Sequence, residues 1–241
     1  MGAAGSTIRR PLADQVHDRL LNELMEGIRP ANDALNIPDL ANEFGVSHTP
    51  VREALARLEH TGLVRRQALR GYRVAPLFTD EELSMLLDAR QLLEPELTYI
   101  ATLHRSPAFV EALESTVVTL EEAAAASGAE AFRAYWRADA EFHAMIAEQG
   151  GNPFLVASYR ALGPQIQRFR LIARRGPYVT ATATTSAATE HRAILAAIAA
   201  GDAEAAAHRM SQHIAGARRR ALGEDLRPVV PPYFRGRGGR G

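Results

Sequence analysis

The chain of 241 residues has no cysteine, which rules out disulfide cross-links and thiolate chemistry. It has no lysine either: all 28 basic side chains are arginine, balanced by 28 acids. Beside so much alanine, that bias reads as genome composition rather than function. No apolar run approaches the roughly 20 residues that cross a bilayer, and no signal-peptide core opens the chain. The sequence therefore predicts a cytoplasmic protein with no membrane partner. Hydrophobic residues make up 46% and charged residues 23%, ordinary for a globular chain with room for two modest domains.

The zero net charge hides an asymmetry. Residues 47–76 carry six arginines against two glutamates, while residues 77–217 carry 11 arginines against 17 acids. A basic patch on an otherwise balanced protein suits a polyanionic partner.

Punctuation and periodicity divide the chain further. Residues 1–8 and the Arg/Gly-rich 223–241 read as disordered. Over 9–76, a helical stripe runs through Val16, Leu20 and Leu24, and a short helix spans Ile37–Phe44 and stops at Gly45. A second helix follows, with Ser47 as its N-cap and Pro50 in its first turn. Two extended runs, Leu63–Arg66 and Tyr72–Ala75, flank Gly71 as a β-hairpin. From 77 to 222 the pattern is Ala-rich, acidic and strand-free, with helices opening near Asp80, Pro107, Glu130, Pro153, Pro177 and past Gly201. The predicted fold is mainly α: a winged helix-turn-helix of three helices and a small hairpin wing, then an all-α bundle of six or seven helices.

In a helix-turn-helix, the second helix enters the major groove and presents its first residues to bases and phosphates. Here those residues are Ser47, His48, Thr49, Pro50 and Arg52, with Arg65, Arg66, Arg70 and Tyr72 on the wing. Such proteins usually read two half-sites, which predicts a homodimer on double-stranded operator DNA.

In the bundle, polar residues stand on apolar stripes. Asp139 and His143 are four apart on a face shared with Tyr135, Phe142 and Ile146. Burying both is costly unless something pairs them, either a mutual hydrogen bond or a metal ion. His191 lies in line with Ile194 and Ile198, and His213 with Met210 and Ala217. Each is 11 residues from Asp202, so an antiparallel helical hairpin sets them side by side. Three inward histidines and an aspartate make a metal site the better reading, for Zn, Ni or Mn without distinction. Arg90 lies on the stripe of Leu83, Leu86, Leu87 and Leu97; its inward guanidinium needs an anion, either a carboxylate effector or Glu94 one turn on. Arg168 and Arg170 are weaker candidates. His17, His60, His104 and His208 read as surface or boundary residues.

The run Leu40-Ala41-Asn42-Glu43-Phe44-Gly45-Val46-Ser47-His48-Thr49-Pro50-Val51-Arg52-Glu53-Ala54-Leu55, continued by Leu58-Glu59 and Gly62-Leu63-Val64, resembles the GntR family of bacterial repressors. The resemblance implies DNA contacts at Ser47, His48, Thr49, Pro50, Arg52, Arg70 and Gly71. His48 stands where the family usually has arginine, and Ala31 where it usually has glycine. Asp139-x-x-Phe142-His143, Gly151-Asn152-Pro153-Phe154-Leu155, Glu190-His191-x-x-Ile194 and His213-Ile214 resemble the FCD effector domain of the FadR-type branch. That implies metal ligands at Asp139, His143, His191 and His213. The expected function is a transcriptional repressor, not an enzyme, controlled by a small organic acid docked on the metal with help from Arg90. Two alternatives stand beside it: a DNA-binding protein with a purely structural metal, and a metal-dependent hydrolase.

Overall fold

A computed structural model of the chain describes residues 10–25, 27–67, 71–175 and 181–222. Arg70 and the segments 1–8 and 223–241, singled out above, lie outside these residues, as do the side chains of Arg168 and Arg170. The chain divides into two compact units, with the boundary between Leu77 and Phe78.

In the first unit, α1 (Leu12–Met25), α2 (Ile37–Phe44) and α3 (His48–His60) pack on a three-stranded sheet of β1 (Ala34–Leu35), β2 (Val64–Gln67) and β3 (Gly71–Val74). The sheet is antiparallel in the order β1-β3-β2, with Arg66 opposite Tyr72 and Leu35 also opposite Tyr72. The hairpin was legible as two extended runs, whereas β1 is only two residues long, too short to show an alternation. The stripe of α1 (Val16, Leu20, Leu24) meets Val51, Leu55 and Leu58 of α3 in a core shared with Leu35, Leu40 and Tyr72. The α2–α3 turn needs Gly45. Its φ of 65° is left-handed, and its N–H and that of Val46 reach back to Asn42 and Ala41, closing the end of α2.

The second unit is α4 (Asp80–Leu103), α5 (Pro107–Ala125), α6 (Ala129–Gln149), α7 (Pro153–Arg175), α8 (Ala181–Ala200) and α9 (Ala203–Leu222), six helices among the described residues. Helix starts are set by side-chain caps. Thr79 and Glu82 form a reciprocal capping box on α4, Ser106 accepts from the Phe109 N–H, and Asn152 Oδ1 accepts from Phe154 and Leu155. Leu87, Leu97, Leu113, Phe142, Ile146 and Ile198 are among the buried side chains of one continuous core. Gly201, at φ 78°, and Asp202 turn α8 back as α9. Arg218 of α9 is buried against Ser84 and Asp88 of α4, which stitches the last helix to the first. Among the described residues no helix is long and apolar enough to cross a membrane.

Candidate nucleic-acid interface and candidate metal centre

The start of α3 is open. Ser47 has the extended backbone of an N-cap, but its hydroxyl makes no capping bond, so it is left for another partner. Ser47, His48, Thr49 and Arg52 are exposed, while Pro50 is buried. Pro50 therefore shapes the first turn rather than offering its ring to a ligand.

The arginines of this unit sort into two groups. Arg57 is tied to Asp14 at 2.7 Å, Arg29 to Glu23 and Glu43, Arg19 to Glu23, and Arg73 to Gln67 and the carbonyl of Asn32. Arg52, Arg65 and Arg66 are exposed and, among the described residues, paired with no acid. An unpaired guanidinium at the start of a recognition helix, with two more on a hairpin, is the arrangement that docks on a phosphate backbone. Gly71, at φ 79°, is exposed and opens the returning strand of that hairpin.

In the second unit, α6, α8 and α9 bring Asp139, His143, His191 and His213 together. Each offers one ligand atom, and these atoms all lie within 4.8 Å of one another. All four residues are buried; His191 is wholly so. His191 Nε2 is 3.4 Å from His143 Nε2 and 3.2 Å from Asp139 Oδ1. The rings of His191 and His213 are 4.4 Å apart, as equal spacing about the α8–α9 turn requires. His17 is half-buried beside Asp18, and His60, His104 and His208 are exposed.

The opposite ring nitrogens explain why the cluster asks for a cation. His191 Nδ1 is 2.7 Å from the Ala187 carbonyl, which only accepts, so that nitrogen carries the proton. His213 Nδ1 donates to Glu190 Oε2 at 2.8 Å. His143 Nδ1 lies 2.7 Å from Glu94 Oε2, but the angle is not that of a hydrogen bond, so the contact is electrostatic. With the proton on Nδ1, the neutral rings of His191 and His213 turn a bare Nε2 lone pair inward, and His143 does the same in its Nδ1–H form. Three lone pairs and a carboxylate then face one point and repel unless a positive charge sits among them.

A proton fits that place poorly. Burial lowers the pKa of His143 in spite of Glu94, and burial together with His191 pushes His213 down to about 3. A borderline metal ion fits: imidazole and carboxylate are its ordinary ligands, and a backing acceptor on each Nδ1 is the usual support of metal-bound histidine.

Arg90 is buried, and its fork is filled by Glu94 at 2.5 and 3.2 Å. Burial opposes both charges, yet each holds the other ionised: the Glu94 carboxyl lies far below its ordinary range and the Arg90 guanidinium above its own. Of the two anions expected for Arg90, the structure places Glu94 against it. Glu190 is held in the same way by Arg220, at 2.7 and 2.9 Å; against the cost of burial, His213 and Arg220 bring its carboxyl down to about 2. Glu190 and Arg220 carried no role in the sequence reading. The adjacency of Glu190 to His191 was the available signal, but it is His213 that Glu190 supports.

Comparisons with known proteins agree with both units. Residues 12–74 match the model of the "Bacterial regulatory proteins, gntR family", and residues 85–216 match that of the FCD domain. The chain is 28% identical over 207 residues to the probable D-xylose utilization operon transcriptional repressor of Paenarthrobacter nicotinovorans, covering 86% of this chain and 87% of that protein. It is 25% identical to the HTH-type transcriptional repressor GlaR of Escherichia coli, over 81% of this chain and 89% of GlaR. Among solved structures, E. coli McbR/YncC shares the fold, with a TM-score of 0.71 at 20% identity over 86% of this chain and 95% of McbR. With both units accounted for, the chain belongs to the GntR family of bacterial transcriptional regulators and carries an FCD domain, which makes it a regulator and not an enzyme.

Proposed function

We propose that this protein is a cytoplasmic homodimeric repressor whose grip on double-stranded operator DNA is set by a small organic acid bound at a metal site in the helical unit. The observation that carries the sensing half is the convergence of four buried ligand atoms within 4.8 Å. Asp139, His143, His191 and His213 would hold the ion, and Zn, Ni and Mn all suit that donor set. A bound divalent ion supplies the positive charge the three lone pairs and the carboxylate require, and an anchor for a carboxylate effector.

The protein's own groups do the rest. Asp139 and the Nε2 atoms form the binding surface, and Leu97, Ile146 and Met210, which line a small cavity beside Glu94 and His143, keep that side apolar. Arg90 would contribute to effector binding by exchanging Glu94 for the effector's carboxylate, since its fork is otherwise engaged. Ser47, His48, Thr49 and Arg52 would read the operator, with Pro50 shaping the turn and Arg65, Arg66, Arg70 and Gly71 on the wing. The effector controls transcription only if it binds the DNA-incompetent arrangement more tightly than the competent one.

The test is selection of operator fragments by the purified protein, followed by titration with chelator and with a panel of small carboxylic acids. Operator release by an acid in the metal-loaded protein alone supports the proposal. If chelation unfolds the helical unit while no acid alters operator affinity, the ion is structural and the sensing role falls.

A further inference from the structure

The cluster that would hold the ion accounts for Asp139 and three histidines, but not for two acid–arginine pairs built behind it. Glu94 touches His143 on the ring edge away from the cluster and is forked by Arg90. Glu190 accepts from His213 Nδ1 and is forked by Arg220. His191 alone is held by main chain, through the Ala187 carbonyl. Resting on the ion-site reading above, we propose that Glu94 and Glu190 are positioning residues: each faces the Nδ1–H of one histidine, Glu190 through a hydrogen bond and Glu94 through a close electrostatic contact, and thereby favours Nε2 as the atom turned toward the ion.

The chemistry requires such a device. A neutral imidazole has two tautomers, and only the one protonated on Nδ1 leaves Nε2 free to bind an ion. A carboxylate fixed at Nδ1 selects that tautomer, fixes the ring plane and makes the ring a stronger donor. His143 Nδ1 is fully buried and makes no hydrogen bond among the described residues, and the carboxylate that faces it is Glu94, with Oε2 at 2.7 Å. The arginines neutralise the two carboxylates, so the supports add no uncompensated charge beside Asp139.

Gly216 is the independent sign that Glu190 has been given a place. It lies inside α9, one turn beyond His213, where glycine weakens a helix. A Cβ there would come within 2.9 Å of Glu190 Oε1 and 3.0 Å of an Arg220 nitrogen. The helix gives up a side chain at the spot where the carboxylate passes to reach His213. The clashing atoms are the far ends of flexible side chains, so Gly216→Ala shifts the Glu190–Arg220 pair without breaking the fold.

The experiment uses the full chain, stripped with chelator and titrated with zinc alone. Three variants are compared: Gly216→Ala, Glu190→Gln, and the double Arg90→Met/Glu94→Leu. The double variant removes both members of the buried pair, so neither charge is left stranded. Gly216→Ala and the double variant should bind zinc about 10–100-fold more weakly, the range for lost backing groups. Their metal-free unfolding temperatures should stay near wild type. Glu190→Gln keeps an acceptor oxygen and should lose less.

Nitrogen-15 spectra of the imidazoles supply the readout that a packing role would not move. His213 in Gly216→Ala, and His143 in the double variant, should change from the Nδ1–H pattern to mixed tautomers. Unchanged zinc affinity, or an unchanged Nδ1–H pattern, in both folded variants overturns the positioning role and leaves the ion site standing. A wild-type protein that binds no zinc, nickel or manganese overturns the ion site and this role with it.

Discussion

Replacing Asp139 by Asn keeps the volume of the side chain and removes its charge. In the metal-free protein that carboxylate lies 3.2 Å from His191 Nε2 and 3.8 Å from His143 Nε2, so each metal-free protein serves as its own baseline. In the metal-loaded protein the same change removes the one anionic ligand of the cluster. At free zinc 100-fold above its Kd, the wild-type helical unit gains about 2.7 kcal/mol. For a unit of this size that is roughly 5–11 °C in unfolding temperature. If Asp139→Asn weakens binding 100-fold, the gain at the same zinc concentration drops to about 0.4 kcal/mol, or roughly 1–2 °C. Calorimetry of both proteins with and without zinc reads the difference directly. A full zinc-induced shift in Asp139→Asn would refute the assignment of Asp139 as a ligand; no shift in either protein, with nickel and manganese giving none, would refute the site.

On the DNA side, Arg52→Ala should cost about 1–3 kcal/mol of operator affinity by fluorescence anisotropy with an unchanged melting temperature, because Arg52 is exposed and, among the described residues, paired with no acid. Wild-type affinity in that variant counts against α3 as the reading helix. The double variant Arg65→Ala/Arg66→Ala should lower the slope of log affinity against log salt by about 1.8 per protomer; an unchanged slope removes the wing from the phosphate interface. Acid should destabilise the metal-free protein early. His213 titrates near pH 3 in the fold but near its ordinary value once unfolded, so between those values the unfolded chain binds the extra proton. Stability therefore falls as pH drops below about 6.5, by up to about 1.4 kcal/mol per pH unit for that ring. Urea midpoints equal at pH 7 and pH 5 would contradict the burial of a neutral His213.

Much of the aspartate–histidine cluster could be read in one dimension because helices carry their own ruler. Asp139 and His143 share a face by the four-residue spacing, and His191 and His213 meet because each is 11 residues from Asp202 at the turn. The winged front end was equally legible, since Gly45, Ser47 and Pro50 punctuate it locally and two short extended runs flank Gly71.

Side-chain partners were decided only by the tertiary structure. Arg90 had two possible anions in the sequence, and the burial of α4 gave it Glu94. Pro50 looked like part of an open helix start until α3 packed it inward. Arg57, one of the six arginines of 47–76, is tied at 2.7 Å to Asp14, 43 residues away. Glu190 backs His213 rather than its own neighbour His191, through a gap that only Gly216 leaves open. The reason is physical. Periodicity states which way a side chain points from its own helix axis, whereas its partner depends on the register and approach of another helix, which the whole core sets together.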